Sequence, residues 1–465
     1  MAANEHNEDQ TKPHAGAVSR RDFLRVAAIT GAVAGLGGGL GGILSGCGGK
    51  SEPLSSSQQV QTSVTAGVQT GQEVKLGYLA PVTGSMATWG TSAKWLIDYF
   101  NKNVWKDGLV MGDGKKHRVT VLTKDTQSDS GFAAKLASSL ILDSEVLLLG
   151  TAAGADGVLA VRDTAEELEC PCVTYNCSAD AWALGRPSGG FKWCWHTWFS
   201  LADLVANVVA TWDSLQTNKK VGVLYPDDGD GRAFLSRLPK VVHSRGYTVV
   251  DPGRVVAGAT DYSSAVSLFL KEGVEIVNGV LAPADFAGFW RQCRTQGFTP
   301  KISTQSGALI FPDGIEALGG FGSGQTVECW FHPSFEYKSS VTGLTAAEVC
   351  TLWEQQAKVQ WNQSLVVFGQ LEVFTDVLTR CRNPLDTRAI AQAVKDTSVT
   401  TVGGPVDWTA NPEARSGVYN FCSKPVCEGQ WVKGTSSYPY DMQVVASATQ
   451  KAIRPSASVQ YLSST

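Results

Sequence analysis

The fold is decided first by the stretch at residues 74–84, which reads VKLGYLAPVTG. Residues 74–79 form a short apolar run that Pro81 and Gly84 interrupt, so they predict a buried strand followed by a turn. Residues 91–103 come next and show helical spacing, with aromatic and apolar side chains on one face. A strand, a turn and a helix in this order indicate the first unit of an α/β fold.

Short apolar runs alternate with helical segments through the rest of the body. In its first half the predicted strands lie at 118–122, 146–150 and 172–175, with helices at 131–142 and 157–168. The alternation repeats after residue 201, with predicted strands at 221–225, 248–250, 276–281 and 301–304. This pattern predicts parallel sheets joined by right-handed crossovers, and the continuous apolar runs suit strands covered on both faces.

The C-terminal third changes character. A strand at 326–331 is followed by helices near 345–361, 368–381 and 388–395, which bring no strands of their own. Because these helices need a sheet to cover, we expect the chain to cross back to the first α/β unit. The tail predicts a hairpin formed by 418–422 and 429–432. A two-lobed body that the chain crosses several times is a natural hinge.

Several motifs resemble, in the same order, those of the branched-chain amino acid type of periplasmic binding proteins. The opening strand ends in Gly-x-x-x-Pro-x-(Ser/Thr)-Gly, as in that family, and the aromatic-glycine pair Trp89-Gly90 follows. The further matching segments are Lys124-Asp125-Thr126 with Ser130, Leu148-Leu149-Gly150, residues 223–231 and residues 403–408. The resemblance covers roughly residues 72–435.

This resemblance implies a type I periplasmic binding protein fold, which is α/β with two doubly wound parallel-sheet lobes joined by three crossings. We expect the crossings near Thr197, Phe331 and Trp408. The implied boundaries are 73–196 plus 332–408 for lobe 1, 197–331 plus 409–445 for lobe 2, and 446–465 for a C-terminal tail.

Residues 1–46 resemble an export signal that ends in a lipid attachment site. Arg20 and Arg21 precede an apolar stretch, as in a twin-arginine signal. Residues 44–47, LSGC, resemble a bacterial lipobox in which Cys47 is diacylated and becomes the mature N-terminus. We therefore predict a protein that is lipid-anchored at the outer face of the cytoplasmic membrane.

The alternative for this segment is a transmembrane helix over residues 26–45, which is long enough to span a bilayer. It contains seven glycines, which weaken a helix and lower its hydrophobicity. Residues 48–72 are mostly glycine, serine, glutamine, threonine and valine and predict a flexible tether, so that 47–72 joins the lipid anchor to the folded body.

The composition excludes several classes of function. The 465 residues carry a net charge of −4, which argues against a nucleic-acid partner. The chain has no Gly-x-Ser-x-Gly elbow, no His-Glu-x-x-His helix and no Walker loop, and its six histidines are few. We therefore expect neither an enzyme nor a bound cofactor. His196 adjoins a predicted crossing and is expected to order the hinge or the cleft wall.

The eleven cysteines become ten once Cys47 carries lipid, and an even number in an oxidising compartment predicts disulfides. The candidate pairs are Cys422 with Cys427, across a short turn, and Cys350 with Cys381, on adjacent predicted helices. A cluster that would alternatively suit a metal consists of Cys170, Cys172, Cys177, Cys194 and His196. Because Cys-x-Cys is unusual spacing for structural zinc, we predict no metal site.

The position of a ligand site follows from the predicted sheets. In open parallel sheets, ligands collect beyond the carboxyl ends of the strands, near helix N-termini. This rule selects six loops, at 81–91, 151–156, 175–182, 226–232, 282–286 and 304–309. The same loops bind the ligand between closing lobes in the family that the chain resembles.

The resemblance assigns roles to individual positions in these loops. The first-loop aromatic falls on Trp89, and the turn that clasps a ligand carboxylate falls on Ala153, Gly154 and Ala155. The fourth-strand turn falls on Asn176 and Ser178. The lobe 2 aromatic of amino-acid binders falls near Asp230, and their ammonium-binding acid near Gln305 or Ser306. These last positions depart from the family and argue against a leucine-like ligand. The candidate set also includes Asp228 and Ala282, from the fourth and fifth loops.

The charge of the six loops narrows the ligand further. They contain one arginine, Arg232, against six aspartates, namely Asp156, Asp180, Asp227, Asp228, Asp230 and Asp285. Such a cleft repels a multiply charged anion and favours a neutral amide, an amine or a zwitterion. Trp89 would cover an apolar or cationic part of it. The alternatives are that the aspartates cap helices, that Trp89 packs on its own lobe, and that Asn176 and Ser178 are turn residues.

These features together predict a solute-binding lipoprotein of an ATP-driven ABC importer. Its partners would be a small polar solute, such as an amino acid, amide or amine, the permease subunits, and the membrane through the lipid anchor. A ligand-sensing receptor component of the same fold is the alternative, and an extracytoplasmic hydrolase is a third hypothesis.

Overall fold

The structure is a computed structural model that describes residues 67–185, 190–227, 229–410, 420–435 and 437–463. The chain divides into two units, Met1–Gln69 and Thr70–Thr465, and the second contains both lobes. The predicted signal peptide, the lipidation site Cys47 and most of the tether lie outside the described residues, as does the candidate site residue Asp228.

The sheet of lobe 1 consists of parallel strands. They are β1 (Val74–Ala80), β4 (Val119–Asp125), β5 (Leu148–Thr151), β6 (Cys172–Thr174), β7 (Cys194–Trp198) and β16 (Phe421–Ser423). Their spatial order is β16-β7-β6-β5-β1-β4. Leu76 of β1 lies between Val121 of β4 and Leu148 of β5. Leu76 and Leu148 are fully buried, as expected for strands that are covered on both faces.

Helices follow these strands as the sequence predicts. The helices of this part of the chain are α1 (Ala93–Tyr99), α2 (Ser130–Leu142), α3 (Gly154–Glu167) and α4 (Ala179–Trp182). Asp129 begins α2, because its carboxylate accepts a hydrogen bond from the Phe132 backbone N–H at 2.5 Å. A small antiparallel hairpin of β2 (Leu109–Val110) and β3 (Lys116–His117) precedes β4.

The sheet of lobe 2 is parallel at first and antiparallel at its end. Its strands are β8 (Lys220–Pro226), β9 (Thr248–Val250), β10 (Arg254–Val255), β11 (Ile276–Gly279), β12 (Ile302–Gln305), β13 (Thr326–Cys329), β17 (Cys427–Lys433) and β18 (Tyr440–Ala446). The order is β10-β8-β11-β12-β13-β17-β18, with β9 also paired to β8. Its helices are α5 (Leu201–Asp213), α6 (Gly229–His243), α7 (Ser263–Glu272), α8 (Pro283–Thr295) and α9 (Pro312–Glu316).

The late helices cover the first sheet, as we expected from their lack of strands. They are α10 (Ala346–Ala357), α11 (Phe368–Arg380) and α12 (Thr387–Lys395), followed by a hairpin of β14 (Ser398–Thr401) and β15 (Gly404–Asp407). On α11, the Gln370 side chain donates to the Val173 carbonyl of β6 at 2.7 Å. A Cβ at Gly150 of β5 would lie 2.6 Å from the ring of Phe374, so only glycine allows this close approach.

The strand order shows where the chain passes between the two sheets. It leaves the first sheet after Trp198 and returns after Cys329, close to the predicted crossings at Thr197 and Phe331. The third passage lies between Ser423 and Cys427 rather than near Trp408, because β16 still pairs with β7 in the first sheet. The chain therefore crosses three times, although β16 lies within the range that the sequence assigns to lobe 2.

The structure differs from the sequence-based expectation for the hairpin in the tail and for the disulfides. The predicted hairpin of 418–422 with 429–432 is wrong, since β16 pairs with β7 while β17 pairs with β13 and β18. The two predicted disulfides are not present either, because Cys422, Cys427, Cys350 and Cys381 are all thiols. Cys422 belongs to the first sheet and Cys427 to the second, so no turn joins them into one hairpin.

None of the helices in the described residues combines the length and the apolar character that crossing a membrane requires.

Candidate functional site

A cavity of about 130 Å³ lies at the carboxyl ends of the strands of both sheets, where the rule for open parallel sheets places ligands. Loops of both lobes and the first two passages between the sheets line it. Its lining includes Trp89, Gly154, Ala155, Asn176, Ser178, Trp198, Phe199, Asp230, Ser306, Gly307, Glu328 and Trp330.

Trp89 forms one wall of the cavity together with aromatic residues of other segments. It ends a single 3₁₀ turn, Ala87–Trp89, in the loop that follows β1. Its ring stacks on Trp330, with centroids 5.6 Å apart and planes 20° apart, and meets Phe311 edge-on at 5.3 Å. Trp198 lies 5.0 Å from Trp330. Trp89 therefore belongs to a continuous aromatic surface that reaches both lobes.

The loop that carries Trp89 is fixed by an acid at the end of the neighbouring strand. Asp125 of β4 accepts hydrogen bonds from the backbone N–H groups of Val82 and Thr83, at 2.9 and 3.1 Å. The Thr83 hydroxyl adds a third bond of 2.6 Å. Partial desolvation opposes ionisation, but the hydrogen bonds outweigh it and lower the pKa of Asp125. The carboxylate therefore stays charged and holds the loop in place.

The polar part of the lobe 1 wall comes from the turns after β5 and β6. Gly154 and Ala155 start α3, and Gly154 has a φ of 71°, which favours glycine. Asn176 has a φ of 63° and is nearly fully buried. Its Nδ2 lies 3.4 Å from the Ala152 carbonyl, while its Oδ1 has no hydrogen-bond partner among the described residues. Ser178 caps α4 by accepting the Ala181 N–H at 3.2 Å.

The lobe 2 wall is built from the ends of β12 and β13 and from the start of α6. Ser306 follows β12 directly, and its buried hydroxyl has no hydrogen-bond partner of ordinary geometry in the part of the chain that the structure describes. Gly307 follows with a φ of 78°, a left-handed conformation that favours glycine. Asp230 contributes from the first turn of α6.

Glu328 on β13 is a cavity residue that the sequence did not predict. It is 5% exposed, and its Oε2 has no hydrogen-bond partner within the described chain. Burial raises the pKa of Glu328 to about 7, against the lowering effect of its own backbone N–H, the Ser306 hydroxyl and the Gly307 N–H. Glu428 lies directly opposite on β17, and burial followed by repulsion from Glu328 raises its pKa well above the ordinary value.

The structure brings together most of the positions that the sequence singles out. The ones that line the cavity are Trp89, Gly154, Ala155, Asn176, Ser178, Asp230 and Ser306. Ala153 instead precedes α3 and borders a neighbouring groove. Ala282 precedes α8 as its N-terminal cap. Gln305 is fully buried in β12, where its Nε2 donates to the Ser303 hydroxyl at 3.0 Å, so it does not reach the cavity.

The sequence also missed the aromatic residues Trp198, Phe199 and Trp330. They lie where the chain passes between the sheets for the first and second time, close to the predicted crossings at Thr197 and Phe331. A signal was therefore present, because a ligand between two hinged lobes must contact the segments that join them. The prediction considered only the loops after strands and gave no role to side chains of the passages themselves.

Three of the six aspartates in the predicted cleft make contacts with other parts of the protein. Asp180 accepts from the Leu201 N–H at 2.9 Å and pairs with Arg237 at 2.7 Å. Asp227 pairs with Arg232 at 2.9 Å, and Asp285 accepts from the Gly258 N–H at 3.1 Å. These three contacts are structural, but none of the three aspartates is the N-terminal cap of a helix, which was the predicted alternative. Among the described residues, Asp230 is the aspartate that lines the cavity.

His196 lies behind the cavity wall, as a buried structural residue. Its Nε2 donates to the Cys177 carbonyl at 2.7 Å, so its Nδ1 accepts from the Thr174 hydroxyl at 2.8 Å. Desolvation lowers the pKa of His196 to about 3, and the neutral ring stacks on Trp182 at 5.1 Å. No group of three potential metal ligands occurs among the described residues, including the cysteines around His196.

Comparison with solved structures gives several similar folds. The leucine binding protein LivK of Thermotoga maritima is 18% identical with a TM-score of 0.64, and the match covers 80% of this chain and 98% of that one. The branched-chain amino acid substrate binding protein LivJ of Streptococcus pneumoniae, in complex with isoleucine, is 15% identical with a TM-score of 0.61, covering 84% and 99%.

A third similar structure is the solute binding protein of an ABC transporter from R. palustris in complex with 4-hydroxybenzoate. It is 17% identical with a TM-score of 0.64, over 81% of this chain and 96% of that one. These likenesses confirm an α/β fold with two parallel-sheet lobes of the type I kind. The family model described as periplasmic binding protein matches residues 73–419. This match spans well over half of the chain, so the protein belongs to the periplasmic binding protein family.

Proposed function

We propose that this protein is the extracytoplasmic solute-binding lipoprotein of an ABC importer and captures a small polar solute between its lobes. The family is one of binding proteins and not of enzymes, as the lack of catalytic motifs led us to expect. The observation that carries the proposal is the cavity of about 130 Å³, whose aromatic walls surround buried polar atoms that have no hydrogen-bond partner among the described residues. Because buried polar groups in folded proteins are normally hydrogen-bonded, a solute that supplies the missing partners fits this site.

Both lobes contribute contacts to such a solute. Trp89, Asn176 and Ser178 come from lobe 1, while Asp230 and Ser306 come from lobe 2. A solute that touches both lobes stabilises the closed arrangement over any open one, since only the closed arrangement offers all of the contacts. We therefore assign solute binding to the cavity-lining members of the predicted set and a supporting role to Ala153, Ala282 and Gln305.

The chemistry of the walls restricts the solute to a small molecule with an apolar body and a few polar groups. The N-terminus of α3, at Gly154 and Ala155, suits an electronegative atom such as a carboxylate oxygen. The face of Trp89 suits an apolar or cationic group. Amino acids, amides and amines satisfy these conditions. Relatives of the same fold carry isoleucine or 4-hydroxybenzoate, which are also small molecules with an apolar body.

The proposed export and lipid anchoring rest on the N-terminal sequence. Twin arginines at Arg20 and Arg21 would direct export, and diacylation of Cys47 would hold the binding body near the membrane. The permease subunits of the importer would then receive the closed, loaded form. The similar protein from R. palustris is likewise described as part of an ABC transporter.

A thermal-shift screen of the purified mature protein tests this proposal. The panel contains amino acids, amides, amines and aromatic acids, each at millimolar concentration. A solute at a hundredfold excess over its dissociation constant stabilises the folded state by about 2.7 kcal/mol, which is readily measured as a shift in melting temperature. We expect a narrow group of chemically related solutes to give such a shift, recovered unchanged after incubation. Turnover of the bound solute would instead identify an enzyme and contradict the proposal.

A further inference from the structure

The described lining of the cavity contains carboxyl groups but no side chain that carries a positive charge. Of the described residues that line it, none is a lysine, an arginine or a histidine, while two, Asp230 and Glu328, are acidic. Glu328 is the more deeply buried, and its Oε2 lacks a hydrogen-bond partner among the described residues. An ionised carboxylate out of water is strongly unfavourable unless it is paired and hydrogen-bonded. The protein places this acid at the cavity without supplying a counter-charge there.

Glu372 shows how the same protein treats a buried glutamate that belongs to its own structure. It is fully buried, and burial raises its pKa to about 7, as for Glu328. Both of its carboxylate oxygens nevertheless have partners, because Thr342 Oγ1 donates at 2.6 Å and the Val402 N–H at 2.9 Å. Neither Glu328 at Oε2 nor the fully buried Glu428 has such an arrangement among the described residues, and of these two Glu328 is the one that lines the cavity.

The described residues around Glu328 do not supply the hydrogen-bond partner that its Oε2 lacks. Ser306 occupies the position beside it on the neighbouring strand, since Thr304 pairs with Thr326, yet the Ser306 hydroxyl also lacks a partner of ordinary geometry in the described chain. Glu428, opposite on β17, has no hydrogen-bond partner on either carboxylate oxygen within the described chain. A second carboxyl group cannot supply the positive charge that an ionised Glu328 lacks. The side of Glu328 that remains is the cavity.

The other walls suit a cation with an apolar body. Trp89, Trp330 and Phe199 present aromatic rings to the cavity, with Trp330 stacked between the other two at 5.6 and 5.7 Å. Aromatic faces attract ammonium groups and also cover apolar surface. A protonated amine satisfies the carboxylate of Glu328 and the rings together, whereas a carboxylate placed at Glu328 would be repelled.

We infer that Glu328 is the specificity-determining residue of the cavity and that the solute is a primary or secondary amine that binds in its protonated form. This inference rests on the proposed function, because it names the solute class of the same site. The amine donates a charge-assisted hydrogen bond to the Glu328 carboxylate, with the Ser306 hydroxyl beside it as a further polar contact. The apolar body of the solute then lies against Trp89 and Trp330.

Matched probes separate this inference from the proposed function. Two sets are titrated into the mature protein by calorimetry and thermal shift: isoleucine and 2-methylbutylamine against 3-methylpentanoate, and 4-hydroxybenzylamine against 4-hydroxybenzoate. The inference predicts binding of at least one amine-bearing probe in preference to its amine-free counterpart. Binding of the amine-free members alone leaves the proposed function standing and overturns the inference. If no probe from either set binds, and the general screen also finds no solute, both are overturned.

Substitutions at Glu328 test the residue itself. Glu328→Gln keeps the shape and removes the charge, and truncating one side of a buried charge pair typically weakens binding by about thirtyfold or more. Glu328→Asp keeps the charge but withdraws it by one methylene, so it should bind the amine with intermediate affinity. The exposed Glu336→Gln is the control and should bind as the wild type does. An amine that binds Glu328→Gln and the wild type equally, with both folded at the same melting temperature, overturns the inference.

Discussion

The guanidinium Nη2 of Arg237, on α6 of lobe 2, lies 2.7 Å from Oδ1 of Asp180, on α4 of lobe 1. Asp180 also accepts the Leu201 N–H where the chain enters lobe 2, at 2.9 Å. One carboxylate of lobe 1 therefore contacts lobe 2 twice, once where the chain enters lobe 2 and once on α6. Because the Arg237 contact joins helices of different lobes, we expect it to break when the lobes move apart.

Removing this ion pair should weaken solute binding modestly. Both side chains are about a third exposed, at 39% and 31%, so solvent screens the pair and its contribution is about 1 kcal/mol at most. We expect Arg237→Gln to lower the affinity for the best solute of the screen by up to about fivefold in calorimetry, with a smaller effect at high salt.

Arg245→Gln provides the matched control for that variant. Arg245 pairs with Asp213 at 3.0 Å, and both residues belong to lobe 2, so this pair does not change when the lobes move apart. Its loss should leave the affinity unchanged. Equal effects of the two variants would show that the Arg237 pair has no special connection with closure.

Trp89→Ala should weaken solute binding strongly while the melting temperature without solute stays nearly unchanged. Trp89 contacts Trp330 and Phe311, and each aromatic pair contributes about 0.5–1.5 kcal/mol beyond its buried area. Because Phe311 belongs to lobe 2 and Trp330 to the passage after β13, we expect these contacts to depend on the closed arrangement. Calorimetry on the wild type and the variant measures the effect.

Trp95→Ala is the comparison for this change. Trp95 lies on α1 away from the cavity and meets Trp353 edge-on at 5.4 Å. Its truncation should lower the melting temperature and leave the affinity intact, which is the reverse of the result for Trp89. An unaltered affinity in Trp89→Ala would refute the placement of the solute.

Glu328 should make the solute-free protein less stable as the pH rises from about 4.5 to about 7, against the opposite contribution of the buried neutral His196. Burial raises the pKa of Glu328 to about 7, so in this window the folded state still holds a proton that the unfolded state has released. One group with this shift contributes up to about 3 kcal/mol, which is present below the unfolded pKa and lost above the folded one. Glu328→Gln should reduce this slope in urea unfolding at a series of pH values.

The slope should be reduced and not abolished in that variant, because Glu372 shifts in the same direction and to a similar pKa. Glu428 also remains, and burial alone already raises its pKa above the ordinary value. A slope that is identical in Glu328→Gln and the wild type would contradict a raised pKa at this position.

The affinity for an amine should change with pH in the opposite direction. Binding of a protonated amine requires an ionised Glu328, so affinity should rise as the pH increases through about 7 and level off above it. The affinity measured by calorimetry should increase by about tenfold or more between about pH 5 and about pH 8, because the pKa of Glu328 lies within this range. Glu328→Gln should show a flat profile over the same range.

Cys47→Ser should release the protein from the membrane fraction. Without the cysteine no acyl chains are attached, and the anchor that they provide is lost. Fractionation of cells that express the full chain, followed by immunoblotting, measures the distribution. Continued sedimentation of the variant with membranes would contradict lipidation and favour a transmembrane helix over residues 26–45.

The fold was predictable because its strands are continuous apolar runs with helices between them. β9 (Thr248–Val250) has the predicted bounds, and other elements differ by a few residues at their ends. The tail was not predictable in the same way. Phe421–Ser423 is a strand of only three residues, and its parallel partner β7 lies more than two hundred positions earlier, so no local pattern indicates the pairing.

The cavity was predictable where it follows strand ends and not where it depends on a passage between the sheets. Trp89 and Asn176 fall in loops that the sheet rule selects. Glu328 does not, because it lies inside a strand, where an alternating pattern makes an acid look solvent-exposed. Only the pairing of β13 with β12 and β17 on both sides shows that this acid is buried.

The most direct test of the account is a crystal structure of the mature protein with the solute that stabilises it most in the screen. We predict electron density for that solute between Trp89 and Glu328, with contacts to both lobes and an amine nitrogen within hydrogen-bond distance of the Glu328 carboxylate. A solute bound outside this cavity, or held by one lobe alone, would contradict the account.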